Sequence, residues 1–189
     1  MNTPAHLIFG AAAFGQPHHR WTIAAALAGG LAPDLSLYLM VGWHLAIAGT
    51  EARVVFGELY YSDAWQAVFA VDNSILLWGA LLIVALAAGW RVLTAFTGAA
   101  LLHIAFDLPL HAGDGRAHFW PVSRWIYDSP VSYWDRSHYA GWVGPAELAI
   151  CILLTALLWW RVSDWRWRAG FALLLLAEFM SNNIWRFIF

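Results

Sequence analysis

Three polar residues whose types suit a metal ion lie four positions apart within an apolar run. The run covers residues 101–111, LLHIAFDLPLH, and contains His103, Asp107 and His111. On an α-helix, residues four apart form one stripe, each turned about 40° from the last. Imidazole nitrogens and carboxylate oxygens are ligands of Zn²⁺ and similar divalent ions. The spacing therefore predicts a metal-binding stripe; the alternative is a hydrogen-bonded stripe that only joins helices.

The surroundings of this stripe are strongly apolar. Of 189 residues, 61% are hydrophobic and 12% are charged, whereas a soluble domain has about twice that charged fraction. Several apolar runs approach the roughly 20 residues that cross a bilayer, and many of the 14 Trp lie where such runs end. We therefore predict a single integral membrane domain over residues 1–189. Ionisable groups inside it are costly and are usually kept for function.

The net charge of −2 gives no reason to expect nucleic acid as a partner. Membrane lipids are the expected partners, and a lipid-like substrate is a further expectation. The oligomeric state does not follow from the sequence.

The hydropathy pattern predicts an all-α, polytopic membrane helix bundle of about five to six segments. The second segment contains Pro33, which predicts a kink or break. The fourth segment is followed by a long loop over residues 111–144. The predicted segments cover about residues 4–14, 21–48, 64–90 (interrupted at 72–74), 92–110, 145–160 and 167 to near the C-terminus.

Polar residues of these segments converge when successive segments alternate in direction across the bilayer. Most of them fall in the half nearest the N-terminus, and the long loop lies on the same side. Random placement would scatter them across both halves. We therefore predict a polar, metal-like site in one half of the bundle, opening at one membrane face.

Two residues from other segments are candidates to complete a ligand set, because one helix supplies only two good ligands from adjacent turns. They are His6 and Asp34. The alternatives are an interfacial histidine near the chain end for His6, and a turn or helix cap after Pro33 for Asp34. The predicted metal ligands are thus His6, Asp34, His103, Asp107 and His111.

Three further residues are candidates for catalysis. His118 follows His111 by seven residues, close enough to fold back over the helix end as a ligand or a catalytic group; the alternative is an interfacial loop with aromatic anchors. Asp72 or Glu178 would orient a ligand histidine or act as a base, or would only bond across helices. Three loop arginines would suit anionic headgroups or anchor the loop at the interface: Arg116, Arg124 and Arg136.

Four short motifs carry a resemblance to a known family. The chain resembles the LexA-regulated, inner-membrane metal-dependent hydrolase family, which is distantly similar to zinc-dependent phospholipases C. The order and spacing of the motifs carry the likeness over about the first two thirds of the chain. The motifs are MNTPAHLIFG at residues 1–10, LAPD at 31–34, HIAFD at 103–107 and FWP at 119–121.

The resemblance implies a bacterial inner-membrane location and metal roles for Asp34, His103 and Asp107, with His111 or His118 as a further ligand. One departure concerns the third segment. The family has a Thr-His-Ser motif where this chain has Val-Asp-Asn-Ser at residues 71–74. Asn73 stands in place of the histidine, which removes one strong ligand that Asp72 could replace, and allows a non-catalytic member.

The favoured hypothesis is a membrane-embedded metal-dependent hydrolase that holds a divalent ion, Zn²⁺ above others, and acts on a lipid or headgroup phosphoester. The alternative is a non-catalytic membrane protein whose polar stripe handles ions or protons, or joins helices. Positively charged residues favour the cytoplasmic side. The cluster of Arg161, Arg166 and Arg168 in a short loop therefore predicts that the site faces outward.

Overall fold

The computed structural model describes the backbone of residues 1–188 and the side chains of residues 1–181. Every regular element in this part of the chain is helical, which confirms the predicted all-α bundle. The α-helices are α1 (Thr3–Phe14), α2 (Arg20–Leu31), α3 (Leu35–Gly42), α4 (Ala52–Val54), α5 (Asp63–Asp72), α6 (Ile75–Ala87), α7 (Arg91–Asp107), α8 (Ala140–Arg161) and α9 (Trp165–Ile188).

Within the described residues, four helical stretches are long and apolar enough to cross a membrane. They are Arg20–Ile47, Asp63–Ala87, Arg91–Leu110 and Ala140–Arg161. Apolar side chains cover their outer surfaces, for example Ile83 at 68% exposed and Leu153 at 69%. Exposure of so many apolar side chains to water is unfavourable, whereas contact with lipid suits them. On length and composition, these helices identify the chain as a membrane protein; α1 is apolar but shorter.

The second and third segments are both broken, as Pro33 and the polar residues 72–74 predict. A 3-10 turn, Ala32–Asp34, separates α2 from α3. Asn73 and Ser74 separate α5 from α6, and the Ser74 hydroxyl caps α6 by accepting a hydrogen bond from the Leu77 N–H at 3.1 Å. The Asn73 amide donates to the Pro33 carbonyl at 3.2 Å, so the two breaks lie side by side.

Small residues bring α1, α2 and α7 into close contact. A Cβ added at Gly29 would lie 2.0 Å from the Phe96 carbonyl oxygen, and one at Gly10 would lie 2.9 Å from the Ala26 carbonyl oxygen. Gly98 is similarly covered by the Phe14 ring. In lipid, where the hydrophobic effect does not drive helices together, close approach of this kind supplies much of the packing energy.

Two boundaries differ from the sequence prediction. Helix α8 begins at Ala140, five residues before the predicted start, so Pro145 lies inside the helix instead of opening it as proline often does. The stretch between the second and third predicted segments contains α4 and a π-helical turn, Val55–Leu59. Val55 is fully buried against Trp65 and Phe69, so packing produces these turns.

Gly29→Ala should destabilise the protein by about 1–3 kcal/mol, because its methyl group overlaps the α7 backbone and must push the helices apart. Gly79→Ala in α6 is the matched control, since nothing lies within 4 Å of its added Cβ. That change should stabilise the helix by about 0.5–1 kcal/mol. Thermal unfolding in detergent measures both; equal unfolding temperatures for the two variants would contradict the packing described.

Candidate metal centre

The side chain of His103 is held so that one ring nitrogen bonds to a backbone carbonyl and the other faces a carboxylate. Its Nδ1 lies 2.7 Å from the Gly30 carbonyl oxygen. Because a carbonyl only accepts, Nδ1 carries the hydrogen and Nε2 of the neutral ring has a lone pair. That Nε2 lies 3.0 Å from Asp107 Oδ2. Two electron pairs facing each other in a buried site require a cation between them, either a proton or a metal ion.

Helix α1 contributes His6 to the same carboxylate. His6 Nε2 lies 2.8 Å from Asp107 Oδ1, and the His6 and His103 rings stack with centroids 3.6 Å apart and planes 12° from parallel. Both imidazoles are nearly inaccessible, as is Asp107. The α-amino group of Met1 also contacts Asp107 Oδ1, at 2.6 Å. Asp107 is thus the carboxylate on which both histidines converge.

These three residues fit a divalent metal ion. The ligand atoms of His6, His103 and Asp107 all lie within 4.8 Å of one another. Two atoms bound tetrahedrally to one Zn²⁺ at its usual bond lengths are separated by about 3.3 Å, close to the separations of 2.8 and 3.0 Å seen here. The Gly30 carbonyl supplies the hydrogen-bond acceptor that orients a metal-binding histidine. The buried group can therefore hold a metal ion.

Asp34 lies at the edge of this group, at the Pro33 break. Its Oδ1 is 3.8 Å from His103 Nε2, and its Oδ2 accepts a hydrogen bond from the Thr3 hydroxyl at 3.5 Å. The side chain keeps 20% of its surface accessible. The structure therefore places Asp34 beside the candidate ion, on the side that remains open.

His111 lies between two carboxylates. Its Nε2 is 3.5 Å from Asp107 Oδ2, and its Nδ1 is 3.0 Å from Asp114 Oδ2. Burial opposes a positive charge on this ring, but Asp107 and Asp114 outweigh it and raise the pKa of His111 above its usual value. Both nitrogens face carboxylates, so His111 is placed to hold a proton between Asp107 and Asp114.

His118 is oriented by Asn73, the residue that connects the two helix breaks. Its Nδ1 donates to the Asn73 carbonyl oxygen at 3.0 Å, which leaves the lone pair on Nε2. Burial lowers the pKa of His118 below its usual value, so the ring is neutral near pH 7. Asn73, which stands where the resemblance expects a histidine, uses its amide to hold Pro33 and its carbonyl to orient His118.

Asp72 and Glu178 lie outside the ligand group. Asp72 is half-buried, and no side chain in the described part of the chain bonds to its carboxylate; its backbone carbonyl accepts from the Trp78 indole N–H. Glu178 is fully buried and accepts a hydrogen bond from the Asn2 amide at 3.0 Å. Glu178 therefore holds the start of α1 through Asn2, four residues before His6.

Sequence reasoning missed the partner of Glu178. Glu147 is also buried, and its Oε1 accepts from the Asn2 backbone N–H at 2.8 Å. The two acidic side chains anchor the N-terminal end of α1 through their hydrogen bonds to Asn2. A glutamate three residues into the predicted fifth segment was the available signal, since a carboxylate at that depth is unusual.

Comparisons with protein-family models, with curated proteins and with solved structures found no match. The function is therefore inferred from the geometry of the site and from the sequence motifs.

Removing the ligands should remove the ion. His103→Ala or Asp107→Ala should weaken metal binding at least about tenfold. Loss of a group that only orients a ligand already costs about 10–100-fold in metal affinity, and loss of the ligand itself should cost no less. His138→Ala is the matched control, because this histidine is half-exposed and pairs only with its neighbours in the loop. Metal-to-protein ratios from elemental analysis measure the effect, and full retention in the double alanine variant would contradict a metal at this position.

Proposed function

We propose that this protein is a membrane-embedded metal-dependent hydrolase that acts on a phosphoester at the depth of lipid headgroups. The observation that carries the proposal is the buried group of His6, His103 and Asp107, whose ligand atoms lie within 4.8 Å of one another, with the two imidazole rings stacked. The mixed nitrogen and oxygen donors favour Zn²⁺. The resemblance of the sequence motifs to inner-membrane metal-dependent hydrolases supports the same class.

The ligand roles follow from the contacts. His6, His103 and Asp107 would hold the ion, and Asp34 would complete its coordination from the open side. Bound there, Zn²⁺ would supply a hydroxide nucleophile near pH 7 and polarise a phosphoryl oxygen. The Gly30 carbonyl keeps His103 in the tautomer that a ligand needs.

Two histidines of the loop would handle protons. His118 is neutral, with Nε2 available, so it would take a proton from an attacking water or return one to a leaving group. His111 would hold its proton between Asp107 and Asp114, which limits repulsion between the two carboxylates. The buried Glu147 and Glu178 fix the start of α1, and so the position of His6.

The location of the group supports a lipid phosphoester as substrate. His6 lies near the start of α1, Asp107 near the end of α7, and Glu147 near the start of α8. These ends lie together at one end of the bundle, beside a loop rich in exposed aromatic residues such as Trp125 and Tyr139. Aromatic side chains of this type concentrate at the level of lipid headgroups.

A second candidate is a non-catalytic membrane protein whose polar group only joins helices. The 2.8 Å contact between His6 and Asp107 favours it, because a hydrogen bond there ties α1 to α7 without any ion. The two candidates differ in one measurable property. A hydrolase requires tightly bound metal in stoichiometric amount, whereas a structural contact requires none.

Phosphoester hydrolysis tests the function. The metal-loaded protein should cleave a fluorogenic phosphodiester lipid, and a chelator should abolish the reaction. His118→Gln should lower kcat by about a hundredfold or more, the usual contribution of a general acid or base, while metal content stays at the wild-type level. His18→Gln is a control outside the described group. Full activity in His118→Gln would contradict its catalytic role, and metal-loaded protein inactive on every phosphoester lipid would favour the non-catalytic candidate.

On the resemblance of the motifs, we propose that this is a bacterial inner-membrane protein. The cluster of Arg161, Arg166 and Arg168, where α8 ends and α9 begins, further leads us to propose that its site opens outward. Val122 in the long loop is 82% exposed and suits a cysteine probe. Val122→Cys in a Cys151→Ala background should react with a membrane-impermeant thiol reagent in intact spheroplasts. A cysteine at position 122 that reacts only after the membrane is permeabilised would show the opposite topology.

A further inference from the structure

Arg116 is a buried cation in the loop that follows α7. Only 7% of its surface is accessible. One terminal nitrogen donates to the Tyr60 hydroxyl at 2.6 Å, and the other donates to the Asp114 carbonyl oxygen at 3.4 Å. The guanidinium carbon lies 4.7 Å from the centroid of the Tyr60 ring and 4.3 Å from that of Phe69. The side chain is therefore fixed in position by two rings and two hydrogen bonds.

These contacts do not neutralise the charge of Arg116. In the part of the chain with described side chains, no carboxylate forms an ion pair with it. Burial raises the pKa of Tyr60 to about 12, so that hydroxyl is neutral. The nearest acid in sequence, Asp114, directs Oδ2 to the Trp134 indole N–H and to His111. A buried guanidinium without an anion is costly, which indicates that an anion belongs there.

Arg116 also retains hydrogen-bonding capacity for an anion. A guanidinium has five N–H donors, and two hydrogen bonds to protein groups are formed. The donors of a guanidinium lie in one plane, an arrangement that can bind two oxygens of one phosphate. The aromatic rings of Tyr60 and Phe69 lie against its face, which leaves the edge of the guanidinium for the anion.

A short series of contacts connects Arg116 with the metal group. Asp107 contacts His111, His111 contacts Asp114, and the carbonyl of Asp114 accepts from Arg116. His118, oriented by Asn73, follows two residues later in the chain. An anion on Arg116 would therefore be linked to Asp107 through His111 and Asp114.

We propose that Arg116 is the specificity-determining residue of this site, and that it binds the phosphate group of the substrate. The assignment of that phosphate to a substrate rests on the proposed function; the anion site itself does not. The shared chemistry is a phosphate oxygen pair, which either a free phosphate or a lipid headgroup supplies. A neutral or cationic ligand would leave the guanidinium uncompensated and should not bind.

Anion binding by the full-length protein in a non-ionic detergent tests this proposal. Inorganic phosphate should raise the unfolding temperature of the wild type, and Arg116→Gln should weaken phosphate binding at least about tenfold. Arg124→Gln is the matched control, because this arginine is exposed in the same loop, and it should bind as the wild type does. Arg116→Lys keeps the charge without the planar fork and should lie between the two. If Arg116→Gln does not fold, Arg116→Lys takes its place in the test. Phosphate affinity equal to that of the wild type in Arg116→Lys would then overturn the proposal.

Two probes distinguish the sources of the phosphate. A short-chain phosphatidylglycerol carries the phosphate with a headgroup, and the matching diacylglycerol lacks it. If only the phospholipid binds, the site is assigned to a lipid headgroup. If inorganic phosphate binds as well, the site is assigned to the phosphate itself. Either result supports the proposal when Arg116→Gln abolishes the binding. Equal binding by Arg116→Gln and the wild type, or equal binding of diacylglycerol and phospholipid, would overturn it.

The same measurements on metal-loaded protein separate this proposal from the proposed function. Phosphate binding that depends on Arg116, in metal-loaded protein that hydrolyses no phosphoester, leaves the anion site standing and removes the hydrolase. Hydrolysis that persists in Arg116→Gln with unchanged KM leaves the hydrolase standing and removes Arg116 as its specificity residue.

Discussion

The hydrogen bond from His103 Nδ1 to the Gly30 carbonyl is the interaction on which the rest of this structure depends. It forms only because α2 and α7 approach closely, and that approach requires glycine at position 29. The same bond decides which nitrogen of His103 faces Asp107. Helix packing and the geometry of the site therefore depend on the same contact. Separating α2 from α7 would also release His103, which the candidate ion needs as a ligand.

The interruptions in the second and third segments serve the same site. A broken helix exposes backbone groups that lipid cannot satisfy, so it is tolerated in a membrane only where protein or a polar cavity covers it. Here Asn73 covers the break at Pro33 with its side chain, and its own carbonyl orients His118. Irregular backbone thus provides positions for polar groups that a continuous helix would direct into lipid.

The sequence predicted the helical class, both breaks and the meeting of polar residues at one end of the bundle, because periodicity and proline act locally. It also identified His6, His103 and Asp107, whose types are rare in apolar segments. It could not show that His111 faces two carboxylates or that Asn73 braces Pro33. Those contacts depend on how distant segments pack, as does the role of Glu147, which becomes clear only beside Asn2 and Glu178.

The attachment of Asn2 has a consequence for biosynthesis. Its two buried carboxylate partners lie 145 and 176 positions further along the chain. Helix α1 leaves the ribosome first, but its anchors are made only when α8 and α9 have been translated and inserted. His6 would therefore reach its final position late, after α8 and α9 have joined the bundle. An ion captured before that moment would be held by α7 alone, so the order of synthesis would delay stable binding of a metal until the fold is complete.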